Sequence, residues 1–195
     1  MSNLRRMTAA LLLMMTSLGT DAAESSASKG LEKLWADLTS KDPAIIEQVM
    51  AQLAARPAQT VPFLREHLHP VSAPGPCRVA RWLAELDSDD FATRERATQE
   101  LEQRGEMVES ALTRALRKSP SLEARRRNKG LLERVRAERF NPSANRLRAV
   151  RAVEVLERIG DAKARQLLGM LAQGAPAAQL TVEARAALER LQTPR

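Results

Sequence analysis

Residues that could do chemistry are few in this 195-residue chain, and their spacing is the first constraint on its function. Cys77 is the only cysteine, so it has no internal disulfide partner, and no second thiol or nearby histidine pair completes a metal site with it. It reads as a small buried or half-buried thiol near the start of a helix; in an exported chain a lone thiol could also cross-link two copies. His67 and His69, the only histidines, lie two apart and so point away from one another on a helix, with no nucleophile beside them. They read as a polar helix end, where a protonated imidazole interacts favourably with the dipole. Asp87, Asp89 and Asp90 gather three carboxylates, but without the ligand spacing and distant acid of a calcium loop, so they are expected to cap a helix. There is no glycine-rich phosphate loop and no paired set of metal ligands. No catalytic residue, cofactor site or metal ligand is assigned, and a non-enzymatic protein is expected.

Arg125, Arg126, Arg127, Lys129, Arg134 and Arg136 are the one concentration of charge that suggests a ligand, namely phosphate. Successive side chains on a helix stand about 100° apart, so three adjacent arginines cannot share a face. They are expected to wrap the exposed side while Leu122, Leu131, Leu132 and Val135 face inward, with Glu123, Glu133 and Glu138 as internal partners. A single-stranded nucleic acid would also want stacking aromatics, and the chain has three Phe, two Trp and no Tyr. Lys and Arg total 31 against 24 Asp and Glu, giving a formal charge of +7. That surplus suits an anionic partner, yet the signs interleave in ERATQELEQR and EVLERIGDAK as they do on solvated helix faces. A protein partner is the leading reading. A basic helical protein that binds nucleic acid through phosphates is the alternative.

The elements that must position these residues are helices. Hydrophobic residues make up 44% of the chain and aromatics 3%, so the core must be built mainly from Leu, Ala and Val. No period-two run of β-formers and no Asn-Gly or Asp-Gly hairpin turn is present. The segment 97–116 superimposes on 152–171, setting Ala97, Leu101, Glu102, Gly105, Leu112 and Leu116 over Ala152, Leu156, Glu157, Gly160, Leu167 and Leu171. Val49, Leu53, Pro57, Phe63, Leu64 and Leu68 keep the same offsets upstream. A helix-turn-helix unit that recurs predicts a stack, because one such unit cannot bury its apolar face alone. The length suits one compact domain.

Local signals divide the chain further. Arg5 and Arg6 precede an apolar run over 7–18, and Thr20, Ala22 and Ala23 follow, which together read as a secretory signal over 1–22. The run is shorter than the roughly 20 residues a helix needs to cross a bilayer, so no stable membrane span is expected after cleavage. Residues 23–30 read as a Ser-rich linker and 31–192 as the helical domain. Helices are expected over 30–38, 44–55, 60–68, 91–103, 107–118, 121–138 and 144–159, with a last one from Thr181. Asp42-Pro43, the 87–90 cluster and Asp161 serve as caps, and Gly160 makes a left-handed turn. Pro62 is expected in a tolerated first turn. His69 to Pro76, with its Pro-Gly-Pro, reads as an inter-repeat loop.

Ordered blocks through 31–191, LWADLTSKDP, VPFLREHLHPV, LDSDDFATRERATQEL, SPSLEARRRNKGLL, RLRAVRAVEVLERIG and LLGMLAQGAPAAQLTVEARAALERL, resemble the HEAT-like helical domain of planctomycete proteins, commonly placed after a WD-repeat propeller. The resemblance implies an all-α, HEAT-like α-solenoid of antiparallel helix pairs and carries no catalytic residues over. HEAT-like repeats also occur in phycobilin lyases, but Cys77 has no supporting motif for such an activity. Here a signal-like segment stands where the propeller would be, so the module either works alone outside the cytoplasm or is a remnant. In HEAT-like stacks the second helix of each pair lines the concave side, which would display Arg65, Glu66, Thr113, Arg114, Arg117, Arg165, Gln166 and Gln173 to a protein partner. The expected protein is a cofactor-free scaffold, periplasmic or secreted, with a partner whose identity is unknown.

Removal of the signal near Ala22 or Ala23 is the expected fate of the N-terminus. Intact-mass measurement of the protein from a secreting bacterium checks it; a cytoplasmic product beginning at Met1 or Ser2 is the contrary result.

Overall fold

Proline and aspartate decide where many of the helices begin. In the computed structural model, which describes residues 18–118 and 121–193, Pro43, Pro57 and Pro76 each open a helix at a position whose N–H would have no intrahelical partner. Side-chain oxygens start others: Asp42 accepts from the Ala44 N–H (2.9 Å), Asp90 from Thr93 (2.8 Å), Ser121 from Ala124 (3.1 Å) and Asp161 from Ala164 (2.7 Å). The elements are α1 (Leu18–Asp37), α2 (Pro43–Ala54), α3 (Pro57–His67), α4 (Pro76–Glu85), α5 (Phe91–Arg104), α6 (Glu109–Arg117), α7 (Leu122–Phe140), α8 (Ala144–Ile159), α9 (Ala162–Leu171) and α10 (Gln179–Gln192). A 3₁₀ turn, Gly105–Val108, joins α5 to α6. The protein is all-α, with no strand among the described residues.

Several expectations need correction. Residues 23–30, expected as a Ser-rich linker, are helical within α1, since the run of Ala, Glu, Ser and Lys contains no proline. The first 17 residues of the signal-like segment lie outside the described residues. The third helix starts at Pro57, so Pro62 sits inside it and removes one intrahelical bond, on an exposed side. Cys77 is exposed, because it stands two residues, or about 200°, from the buried Val79 on α4. Leu122 is 85% exposed and does not face inward. It precedes the buried Leu131 by nine residues, which is half a turn out of phase, and Ala124 and Asn128 hold the inward positions instead. His67 is more than a polar helix end: its ring stacks on Phe63 with centroids 4.2 Å apart and lies 5.0 Å from Trp35.

The apolar interior divides into two clusters. The first joins α1, α2 and α3 to α8, α9 and α10 through side chains including Leu38, Leu53, Leu64, Leu156, Leu167 and Leu171, all fully buried. The second lies within 79–135, where Trp82, Leu86, Leu101, Val108, Leu112 and Leu131 meet. The beginning and end of the chain therefore share one lobe, and α4 to α7 form another that leaves it after Leu68 and returns at Asn141-Pro142. In the first lobe α2, α8 and α10 run in the same sense. Glu47 pairs with Arg158 (2.6 Å) and the Leu38 and Ser40 carbonyls accept from Arg151, while Arg146 meets Gln179 (2.6 Å) and Glu157 meets Arg190 (2.7 Å). Between α8 and α9 only Gly160 and Asp161 intervene, with Gly160 at φ +60 and its N–H donating to Leu156 (3.0 Å).

A polar node ties the lobes together. The N-cap residue of α10, Ala178, has no side chain to cap with, and Glu106 from the other lobe accepts from the Gln179 N–H (2.6 Å) in its place. Glu106 also pairs with Arg146, whose Nε donates to the Gln179 amide oxygen (2.6 Å) and which lies 3.9 Å from Glu138. Burial lowers the Arg146 pKa, though a guanidinium stays charged at any physiological pH. Beside the node, the Ala175 N–H donates to the Val71 carbonyl (2.7 Å). That approach requires glycine at 174, where a Cβ would stand 3.0 Å from the Val71 nitrogen and 2.4 Å from the Thr181 hydroxyl.

Leu101→Ala in one lobe and Leu156→Ala in the other should each cost about 2–5 kcal/mol by lost burial and a residual cavity. Urea denaturation reads this, and an unchanged midpoint for either would show that its position is not core. Glu106→Ala should cost about 2–3 kcal/mol, because it uncaps α10 and leaves Arg146 without its closest acid. It should also split one unfolding transition into two, as calorimetry can resolve, whereas Leu156→Ala should lower the transition without splitting it.

Candidate protein-binding surface

The eight side chains expected to line one surface fall on two lobes. Arg65 and Glu66 project from α3, Arg165 and Gln166 from α9, and Gln173 follows α9, all exposed on the first lobe. Of these, Arg65 and Gln166 are brought together, with Nη2 donating to Oε1 at 3.5 Å. Thr113, Arg114 and Arg117 are on α6 in the second lobe. The Thr113 hydroxyl donates to the Glu109 carbonyl (2.9 Å), and Arg165 donates Nε to the Gly160 carbonyl (2.9 Å), so both spend hydrogen bonds on their own backbone. Arg114 and Arg117 remain exposed and form no ion pair among the described residues.

Ion pairs distinguish the two parts of this surface. On the first lobe, a cleft of about 920 Å³ at the α8–α9 turn is walled by Glu157, Arg158, Arg165 and Arg190. Its charges are largely committed: Glu157 takes Arg190, and Glu47 takes Arg158 in a two-bond fork of 2.6 and 2.8 Å. The bond from Arg158 holds the Glu47 carboxyl below the ordinary carboxylate range, and the Glu157 bond raises the Arg190 pKa. On the second lobe Arg127 is committed to Glu95 (2.6 Å) and Glu123 (2.7 Å), which leaves Arg125 and Arg126 on the exposed side without a paired acid among the described residues. Arg117 and Arg125 line one shallow hollow of about 600 Å³ with Leu116 and Leu132.

The 87–90 cluster spends its oxygens on structure. Asp90 caps α5 and accepts from the Thr93 hydroxyl (2.6 Å), bonds that hold its carboxyl below the ordinary range; the Ser88 hydroxyl accepts from the Asp90 N–H (3.2 Å). Arg94 closes the loop by donating to the Ser88 and Asp89 carbonyls at 2.6 and 2.9 Å. Two features escaped the sequence reading. Arg148 lies over Trp35 with its guanidinium carbon 5.2 Å from the ring centroid, next to the Phe63 and His67 stack, and the i, i+4 spacing of Phe63 and His67 was the available signal. Asn128 is buried within the otherwise apolar series Ala124, Leu131 and Val135, a polar residue on a core stripe. No helix among the described residues is long and apolar enough to cross a membrane. Comparison of the chain with protein-family models, curated proteins and solved structures finds no match.

Proposed function

We propose that this chain is a non-catalytic helical-repeat scaffold that binds another protein outside the cytoplasm, through the exposed side chains of α3, α6 and α9. The observation that carries the reading is the contrast within those helices. Leu64, Leu112, Leu167 and Leu168 are fully buried, while Arg65, Glu66, Arg114, Arg117, Gln166 and Gln173 on the same or adjoining turns face solvent. Apolar backs with exposed polar fronts suit a surface that presents hydrogen bonds and charge to a partner. The side-by-side α2–α3 and α8–α9, with α10 laid over α8 and α9, support a short HEAT-like stack of antiparallel pairs closed by a terminal helix. Export rests on the Arg5-Arg6 and apolar 7–18 pattern.

Reversing Arg114, Arg117 and Arg165 to Glu should weaken capture of the partner and leave the fold intact, since all three side chains are exposed. The check is a pull-down from an extracytoplasmic extract, with the captured protein identified, purified and rebound to wild type and variant. A duplex-DNA binding assay over a salt series runs beside it. Tight DNA binding that falls steeply with salt, with no protein rebound, would replace this reading with phosphate recognition.

A further inference from the structure

Two large apolar side chains of α7, Leu122 and Phe140, are 85% and 91% exposed. They stand 18 residues apart, which at 100° per residue is five complete turns, so both project in one direction about 27 Å from each other. Between them Arg126, Lys129, Glu133 and Arg136 fall within about 40° of that direction, and Arg125 lies just beside it. Every one of these side chains is exposed. The outer face of α7 is therefore a stripe with an apolar residue at each end and, between them, four cations to one acid.

The neighbouring acids leave that charge standing. On the α5 side Glu95 takes Arg127 and Glu102 takes Arg134, while on the α6 side Glu109 takes Arg136 and Arg139. Glu123 is spent on Arg127, and Glu133 lies 3.9 Å from Lys129. Asp87, at the Leu122 end, accepts the Ser121 hydroxyl. Arg125 and Arg126 have no paired acid among the described residues, and Arg117 and Lys118 at the adjoining end of α6 are two more exposed cations of that kind.

A surface that satisfies this stripe must offer negative charge along its length and apolar depth at points about 27 Å apart. A phosphate backbone offers only the charge and has nothing in which to bury Leu122. A globular protein would need two apolar pockets at that spacing in an acidic field. A bilayer interface offers both everywhere, with anionic headgroups for the cations, acyl chains just beneath for Leu and Phe, and a depth that long Arg and Lys side chains can span.

We propose that α7 lies flat on an anionic membrane surface, with Leu122 and Phe140 inserted to the acyl boundary and Arg125 and Arg126 among the lipid phosphates. This is attachment to a surface, and no described helix is long and apolar enough to cross one. It goes beyond the scaffold reading, and the stripe contains none of the side chains on which that reading rests.

Cosedimentation of the full chain with vesicles of phosphatidylcholine and phosphatidylglycerol in equal parts tests it, beside vesicles of phosphatidylcholine alone. The anionic vesicles should bind at least tenfold more tightly, and less so as salt rises. Arg125→Glu with Arg126→Glu should weaken binding at least tenfold, since each basic side chain near such a surface contributes about fivefold. Leu122→Ser with Phe140→Ser should weaken it at least tenfold and leave the thermal midpoint unchanged, both side chains being exposed. The apolar run over 7–18 is common to all these variants, so a difference between them is read from α7 alone. Phe140→Trp should show quenching by lipid brominated in its acyl chains, which the wild-type protein, with Trp82 buried and Trp35 half-buried, should not. Arg165→Glu on the first lobe should leave vesicle binding as in wild type, so loss of partner capture and loss of membrane binding are read separately. The proposal is overturned by equal binding to both vesicle types, by binding to neither, by either double variant folding and binding as wild type, or by no added quenching in Phe140→Trp. Release by inorganic phosphate but not by chloride of equal ionic strength would overturn it in favour of a free anion. Duplex-DNA binding that survives Leu122→Ser with Phe140→Ser, without vesicle binding, would overturn it in favour of a nucleic acid.

Discussion

Glu106 sits where two apolar interiors meet, and one carboxylate there does three things. It completes the first turn of a helix in the other lobe, neutralises a guanidinium that is itself largely withdrawn from water, and fixes the 3₁₀ turn from which it projects. Burying a charge is costly unless it is paired and hydrogen-bonded, so Glu106, Arg146 and Gln179 stabilise the junction only as a set. Two hydrophobic cores with a polar seam between them would otherwise be free to pivot on their linkers. The Val71 to Ala175 hydrogen bond and the close approach at Gly174 pin the first linker on the same side of the seam.

The seam matters because the chain does not stack in its own order. A linear series would set the unit 43–68 against 91–117, but α2 and α3 pack on α8 and α9 instead, and the middle unit contributes to a second core. The cause is the pair of proline-bearing crossings at 69–76 and 141–143, which take the chain out of the first lobe and bring it back. Closing so long an excursion costs only a slowly growing loop entropy, and the excursion offsets it by folding around its own leucines.

Local chemistry made much of the helical framework legible in the sequence. The start of α2 at Asp42-Pro43 and the turn at Gly160-Asp161 depend on residues within one helical turn, and both lie where propensity and capping place them. Leu101, Leu112, Leu156 and Leu167, chosen by common spacing, are all fully buried. At Leu122 helix phase outweighs hydrophobicity; the stripe Ala124, Asn128, Leu131 and Val135 follows helical spacing and leaves Leu122 outside it. The division of the expected binding residues between two lobes had no local signal. It depends on contacts between residues about a hundred positions apart, which periodicity does not encode.

Three buried polar side chains show how far the fold accounts for its own chemistry. Thr60 is satisfied internally, its hydroxyl donating to the Leu53 carbonyl at 2.7 Å across the α2–α3 turn. Thr181 has an unpaired hydroxyl, but it is wedged against Gly174, where size rather than hydrogen bonding explains a small β-branched residue. Asn128 has neither explanation. Its stripe needs no polar atom, the ion pairs around α7 do not involve it, and its oxygen is sealed from solvent without a partner. A buried acceptor without a partner costs its desolvation in full, so the α7 stripe is less stable with Asn128 than an apolar side chain of similar size would make it.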